Sequence, residues 1–219
     1  MKKMLGLLLV LCMLSGMMAF AKGSENEVET IKFRGLDWYS DKASIEEAMS
    51  EFEPTNYISL DETAFKYGPI IYYKDVPVAG HKFEAKISFL YASEDGEVDY
   101  NEDSAQMYHA KYTCSVSWVE ANPEDIDALY DELTSKITGL YGKGSTGADD
   151  NAFSEVPMWV GTAWKASDGS MCIVEKEYSY LDSKYTELNI DYYAPGDEDR
   201  LDELDALFST SNADNVDGL

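Results

Sequence analysis

The chain has 219 residues, with 17 Lys plus Arg against 42 Asp plus Glu, for a formal charge of −25. A surface this negative repels phosphate backbones and anionic lipid heads, and no local basic stripe reverses the sign, so nucleic-acid and anionic-membrane binding are excluded. Aromatic residues make up 13% of so charged a chain, which argues against disorder, and this length can bury roughly 70% of its unfolded surface.

At the N-terminus Lys2 and Lys3 precede an apolar run from Met4 to Phe20 that closes on Ala19-Phe20-Ala21. Two positive charges, an apolar core and small residues at the A-x-A positions are what an export machinery and its peptidase read, so cleavage after Ala21 is expected. Gly6, Ser15 and Gly16 interrupt the run, its length sits near the lower limit of roughly 17 residues for a spanning helix, and the polar stretch Lys22 to Glu27 follows. A cleaved signal therefore fits better than an anchor. Cys12 lies deep inside the apolar run and not at the cleavage point, so lipid attachment is not expected. Residues 1–21 thus read as a signal peptide. The product is expected to be secreted, extracellular or periplasmic according to the producer's envelope, with no membrane insertion after cleavage. Its balance of 15 Lys plus Arg against 42 acids gives a formal charge of −27.

Residues 22–30 and 209–219 are polar, acidic and without period, and read as mobile tails around a folded body at 31–208. The body opens with a short amphipathic helix from Asp41 through Ile45, Ala48, Met49 and Phe52, stopped by Pro54. In His81 to Tyr91 the period drops to two. Phe83, Ala85, Ile87, Phe89 and Tyr91 alternate with Lys82, Glu84, Lys86 and Ser88, a strand with one buried face, ended by Asp95-Gly96. Tyr112, Cys114, Val116 and Trp118 repeat the alternation. Asn122-Pro123-Glu124-Asp125 then supplies a cap, a first-turn proline and two acids to a helix carrying Ile126, Leu129, Tyr130, Leu133, Ile137, Leu140 and Tyr141 on one stripe, ended by Gly142. Asp168-Gly169 joins strands around Met158 to Trp164 and Cys172 to Tyr180 as a hairpin, and Thr186, Leu188, Ile190 and Tyr192 mark another strand. A third helix is expected at Asp197 to Phe208, with Leu201, Leu204, Leu207 and Phe208 on one side.

Strands joined by short turns, with helices at segment ends, predict an α+β protein with an antiparallel sheet and helices packed on one face. The order strand, helix, three strands occurs twice, so 31–119 and 120–208 are candidate halves of a tandem repeat.

Phe33-Arg34-Gly35-Leu36-Asp37-Trp38, then Ser40 and Ile45-Glu46-Glu47, resembles an opening found in small bacterial secreted and lipoprotein domains, roughly Phe-x-Gly-Ile-x-Trp-Gly-x-Ser followed by a helix. Tyr39 stands where that pattern has glycine. The resemblance is to the beta-lactamase-inhibitor-protein-like group of helix-plus-antiparallel-sheet units. It implies a binding or envelope-associated role and carries over no catalytic residue.

Cys114 and Cys172 remain after export, and an even count in an oxidising compartment is read first as a disulfide. The alternative is two buried free thiols. Neither His81 nor His109 has a partner at a recognised catalytic spacing, and metal-ligand motifs are absent, so both read as surface or packing residues. His109 and Cys114 fall on opposite faces of their strand. Asp99, Asn101 and Asp103 have the 1, 3, 5 spacing of a calcium loop. Ser104 and Ala110, however, stand where an EF-hand needs Gly and Glu, which leaves only an irregular site open. Of the four tryptophans, Trp118 and Trp164 share apolar strand faces, so Trp38 with Tyr39 and Trp159 are the candidate ligand-contacting residues.

No catalytic residue, metal or cofactor is therefore expected. The leading expectation is a secreted binding module for an extracellular protein or glycan, with most of its acids on wet strand faces, helix exteriors and loops and no cluster of perturbed titratable groups converging in an enclosed pocket. The alternative is an extracellular hydrolase of glycan or peptide using a carboxylate pair.

Overall fold

The computed structural model describes residues 28–58, 67–94, 97–115, 126–148, 157–179 and 184–196. The expected signal peptide, residues 22–27, the tail at 209–219, the cap at 122–125, Trp118 and the helix expected at Asp197 to Phe208 lie outside the described residues.

Asp41 caps the first helix, α1 (Lys42–Ala48), by accepting the Ser44 N–H at 2.8 Å. Strands β1 (Pro54–Ile58), β2 (Tyr67–Val78) and β3 (His81–Leu90) follow, then the short pair β4 (Ala92–Glu94) and β5 (Glu97–Asp99), a 3₁₀ turn at Glu102–Ser104, and β6 (Gln106–Ser115). The second helix, α2 (Ile126–Tyr141), precedes β7 (Ser145–Ala148), β8 (Trp159–Lys165), β9 (Met171–Ser179) and β10 (Lys184–Tyr193). Eight strands form one antiparallel sheet in the order β1-β2-β3-β6-β10-β9-β8-β7, with β4 and β5 paired separately. The α+β class with an antiparallel sheet is as expected.

Periodicity explains the core. Ile45 of α1, Met49 at its C-terminal cap and Ile126, Leu129, Tyr130, Leu133 and Ile137 of α2 bury in one cluster with alternate strand residues, among them Phe83, Ala85, Ile87, Tyr112, Val174, Leu188 and Ile190. Full burial of an Ile or Leu side chain stabilises by roughly 1.5–3 kcal/mol, so this cluster is the dominant favourable contribution. Helix α2 is tied to the sheet by Tyr130, whose hydroxyl lies 2.7 Å from Thr162 Oγ1, and by Lys176, which pairs with Asp127 and sits over the Tyr130 ring. Phe33, Tyr112 and Tyr192 meet with ring centroids 5.2–6.3 Å apart, the packed aromatic centre of the same cluster.

Strands β1, β2, β4, β5 and β7 are not singled out by the sequence. β2 contains Pro69 and Pro77, residues that argue against a strand, and the sheet accommodates them with irregularities between Tyr67 and Ile70 and between Tyr73 and Val76. Asp75, at φ 56°, occupies the second of these. The two-residue turn that follows has φ 52° at Ala79 and 91° at Gly80, the mirror-image turn that suits strand twist.

The expected disulfide is corrected. Cys114 and Cys172 are free buried thiols. Both point inward, as expected, but Cys114 pairs with Leu188 and Cys172 with Tyr192, so β10 lies between their strands and they are offset by four residues along it. Two strand spacings alone amount to roughly 10 Å. A disulfide needs Cα atoms within about 7 Å. Burial pushes both thiols up from their ordinary pKa, which makes them packing residues and poor nucleophiles.

Candidate functional site

Directly paired residues share a sheet face, so the strand register maps the face turned away from the core cluster. One row across it is Trp159, Glu177, Glu187 and Ser115, and the next is Gly161, Glu175, Asn189, Thr113 and Glu84. A third is Ala163, Ile173, Asp191, Lys111 and Lys86; a fourth is Lys165, Met171, Tyr193, His109 and Ser88. Polar side chains thus gather over β9, β10 and β6, beside a small apolar patch of Ala163, Met171, Ile173 and Tyr193.

Trp159 is positioned by a glycine. A Cβ built on Gly161 would fall 2.6 Å from Cζ2 of the Trp159 indole, so the ring occupies the space a side chain would take. From there Nε1 donates to Glu175 Oε2 at 2.6 Å, on the residue that Gly161 faces across the strands.

Asn189, fully buried, is the hub. Its Oδ1 accepts from the Thr113 hydroxyl at 2.9 Å, while Nδ2 lies 3.4, 3.3 and 3.2 Å from carboxylate oxygens of Glu175, Glu177 and Glu187. One row below, Asp191 Oδ1 lies 2.9 Å from His109 Nε2, and the imidazole rests on Tyr193 with ring centroids 4.8 Å apart. Lys111 Nζ stands between the two rows, 3.7 Å from Glu175 Oε1 and 3.6 Å from Asp191 Oδ2. Asp191 Oδ2 is buried and has no hydrogen-bond partner.

The electrostatics follow from this crowding. Burial, then the Asp191 charge, raises Glu175 above the usual carboxylate range despite the Trp159 bond and Lys111. Burial, then Glu187, raises Glu177. Four carboxylates, those of Glu175 and Glu177 raised, thus share one region of this face with Lys111 and His109. Such a site can hold a cationic group, or set one protonated carboxyl beside an ionised one.

The candidates read from the sequence are not brought together. Trp159 lies in the carboxylate region. Trp38 is used structurally, donating from Nε1 to the Ile31 carbonyl at 2.7 Å. Tyr39, at φ 63°, bonds through its N–H to the Met107 carbonyl at 2.9 Å and through its hydroxyl to the Pro195 carbonyl. Met107 lies eight residues along β6 from Ser115, which ends the Trp159 row, a separation of roughly 25 Å. His81 lies 3.3 Å from Glu132 of α2, outside the site, whereas His109, read as a packing residue, is part of it. In the calcium-like loop Asp99 accepts the Asn101 N–H at 3.1 Å and the Ser104 hydroxyl at 3.1 Å, and Asn101 accepts the Asp103 N–H at 3.2 Å. These oxygens close the 3₁₀ turn. Among the described residues no three His, Cys, Asp or Glu side chains are grouped to hold a metal, and no helix is long and apolar enough to cross a membrane.

The sequence misses Glu175, Glu177, Glu187, Asn189, Asp191 and Lys111. The available signal is their alternation with Val174, Lys176, Leu188, Ile190 and Tyr192. No protein family, curated protein or solved structure matches this chain.

Proposed function

We propose that this is a secreted, non-enzymatic binding module that engages an extracellular protein or glycan through the sheet face carrying Trp159, Glu175, Asn189 and Asp191. The observation that carries the reading is the way this face is built. Trp159 is held by Gly161 and Glu175, and Asn189 by Thr113 and three glutamates, all on strands of the main sheet. Side chains ordered before contact lose little freedom on binding, which is what a recognition surface needs. Secretion follows from the signal-like residues 1–21.

The same reading takes the chain as two copies of one unit, 31–119 and 120–208, each a helix followed by four main-sheet strands. The strand order supports it: β1-β2-β3-β6 and β7-β8-β9-β10 each run from an edge to the centre, where β6 meets β10. Helices over one face and a second face left for recognition agree with the resemblance to the beta-lactamase-inhibitor-protein-like group.

The test is affinity capture from the producer's extracellular fraction with mature protein, its Trp159→Ala variant and a Glu47→Ala variant on exposed α1. A partner retained by the wild type and by Glu47→Ala but lost with Trp159→Ala supports the reading. Equal capture by all three refutes it for this face.

One observation favours hydrolysis as a second reading. Glu175, raised by burial, and Asp191 both face Lys111 Nζ, at 3.7 and 3.6 Å, and two neighbouring carboxylates are what glycoside cleavage uses. Turnover of extracellular glycans that disappears in both Glu175→Gln and Asp191→Asn would replace the binding reading with this one.

A further inference from the structure

We infer that the C-terminal segment, residues 197–208, docks on the second face of the sheet over Ala163, Met171, Ile173 and Tyr193, whatever the rest of that face recognises. The burial of this patch leads there. Met171 and Ile173 are each 1% exposed and Tyr193 8%. Yet the two described helices bury their apolar residues in the other cluster, and among the described hydrophobic residues only Trp159 packs against this one. An antiparallel sheet can leave one face in water, where side chains stay partly exposed; side chains this inaccessible have a layer above them.

Chain geometry selects the occupant. Tyr193, a member of the patch, is the last residue of β10, so the chain leaves the sheet at the patch itself. The exit is fixed: the Ala194 N–H donates to the Tyr108 carbonyl at 2.9 Å, the Pro195 carbonyl accepts the Tyr39 hydroxyl, and Gly196 turns the chain at φ 85°. The connections 116–125, 149–156 and 180–183 instead attach at the opposite end of the strands, where Ser115, Trp159, Ser179 and Lys184 lie. Connection 59–66 attaches at β2, separated from β10 by β3 and β6. Residues 22–27 lead into Val28, whose carbonyl accepts the Ser167 N–H near this end, but they carry no apolar side chain.

The segment has the matching chemistry. Leu201, Leu204, Leu207 and Phe208 share one face at helical spacing, and Asp197, Glu198 and Asp199 suit a first turn. A helix over 197–208 spans about 18 Å. That is enough to cross from β10 over β9 to β8, a distance of roughly 10 Å. Glu203 and Asp205 flank the apolar stripe, and exposed Lys165, which ends the row of Tyr193 and Met171, sets a cation at the border of the patch.

The test is isotope-filtered NMR on ¹³C-methyl-labelled mature protein, alone and mixed with unlabelled protein. Nuclear Overhauser contacts should join the methyls of Leu204 or Leu207 to those of Met171 or Ile173 within one molecule. Leu204→Asp/Leu207→Asp should shift the Met171 methyl signal and lower the melting temperature by about 6–12 °C, through the loss of two buried leucines. Leu140→Asp, at a leucine 46% exposed on α2, should leave the Met171 signal in place. Leucine methyls at unstructured shifts, without contact to Met171 or Ile173, overturn the inference. Contacts that arise only between molecules also overturn it, because a second copy would then be the cover. If the double variant does not fold, the contacts in the wild-type protein still decide.

Discussion

Gly161→Ala is the sharpest test of how Trp159 is held. The added methyl would sit 2.6 Å from Cζ2 and 2.9 Å from Cη2 of the indole, closer than carbon atoms approach, and what it meets is the far end of a side chain that can swing away. The ring must leave, and with it the 2.6 Å bond from Nε1 to Glu175. A hydrogen bond to a charged acceptor contributes about 1.5–3 kcal/mol. Replacing glycine in a strand returns about 0.5–1 kcal/mol of backbone entropy. The expected net loss is about 1–2 kcal/mol. In a Trp159→Ala background the obstacle is gone, so the same substitution should become neutral or stabilise by about 0.5 kcal/mol. Urea unfolding followed by far-ultraviolet circular dichroism on the four proteins yields the coupling, expected near 2 kcal/mol from these terms. A Gly161→Ala cost that is the same in both backgrounds, within about 0.5 kcal/mol, would refute the placement of Trp159.

Gly144→Ala should cost more, about 3 kcal/mol, because its methyl meets the Ala163 carbonyl oxygen at 2.8 Å, a backbone atom on a paired strand, as well as Trp164; urea midpoints compare the two. Alkylation in denaturant without reductant should label both Cys114 and Cys172, and a single intramolecular bridge by mass would contradict the strand order. Tyr130→Phe should lose only about 0.5–1 kcal/mol in urea unfolding, because Thr162 keeps Thr146 as a partner at 3.1 Å. Glu175 and Glu177 are raised above their unfolded value near 4.3, so in that window the folded state binds more protons than the unfolded and stability falls as pH rises. Asp41, held down by Ser44, and Glu132, held down by Lys136 and His81, act the other way, contributing stability that is lost only as pH falls through their lowered values. Thermal melting should therefore rise on acidification from neutrality toward about pH 5, and a Glu175→Gln/Glu177→Gln variant should flatten that rise.

Local periodicity made part of this structure legible. The stripe from Ile126 to Tyr141 and the alternation from His81 to Leu90 are intrinsic to the segments, because each buries a face dictated by its own spacing. Strand order is not intrinsic. Cys114 and Cys172 were correctly placed on inward faces, yet nothing near either residue says that β10 intervenes. The same limit hid the site: His109 meets Asp191 across 82 residues, a contact created only by β6 lying beside β10. Glu187, Asn189 and Asp191 alternate visibly with Leu188, Ile190 and Tyr192, but among 42 acids that pattern does not single them out. β2 was missed for another reason. Its prolines contradict local strand preference, and tertiary pairing on both sides overrides it.

The position of the polar network bears on why it exists. β6 and β10 are the central strands of the sheet, where matched apolar pairs would stabilise most, yet their second face holds Thr113 with Asn189 and Lys111 with Asp191. Burying such groups gains little over apolar residues of equal size, and facing Glu177 with Glu187 opposes folding outright. A register function explains Asn189 with Thr113, since a one-residue slip of β10 would bury these polar groups against the core. The same arrangement leaves Glu177 in solvent and matches Asp191 with His109 on one oxygen and with Lys111, 3.6 Å away, on the other.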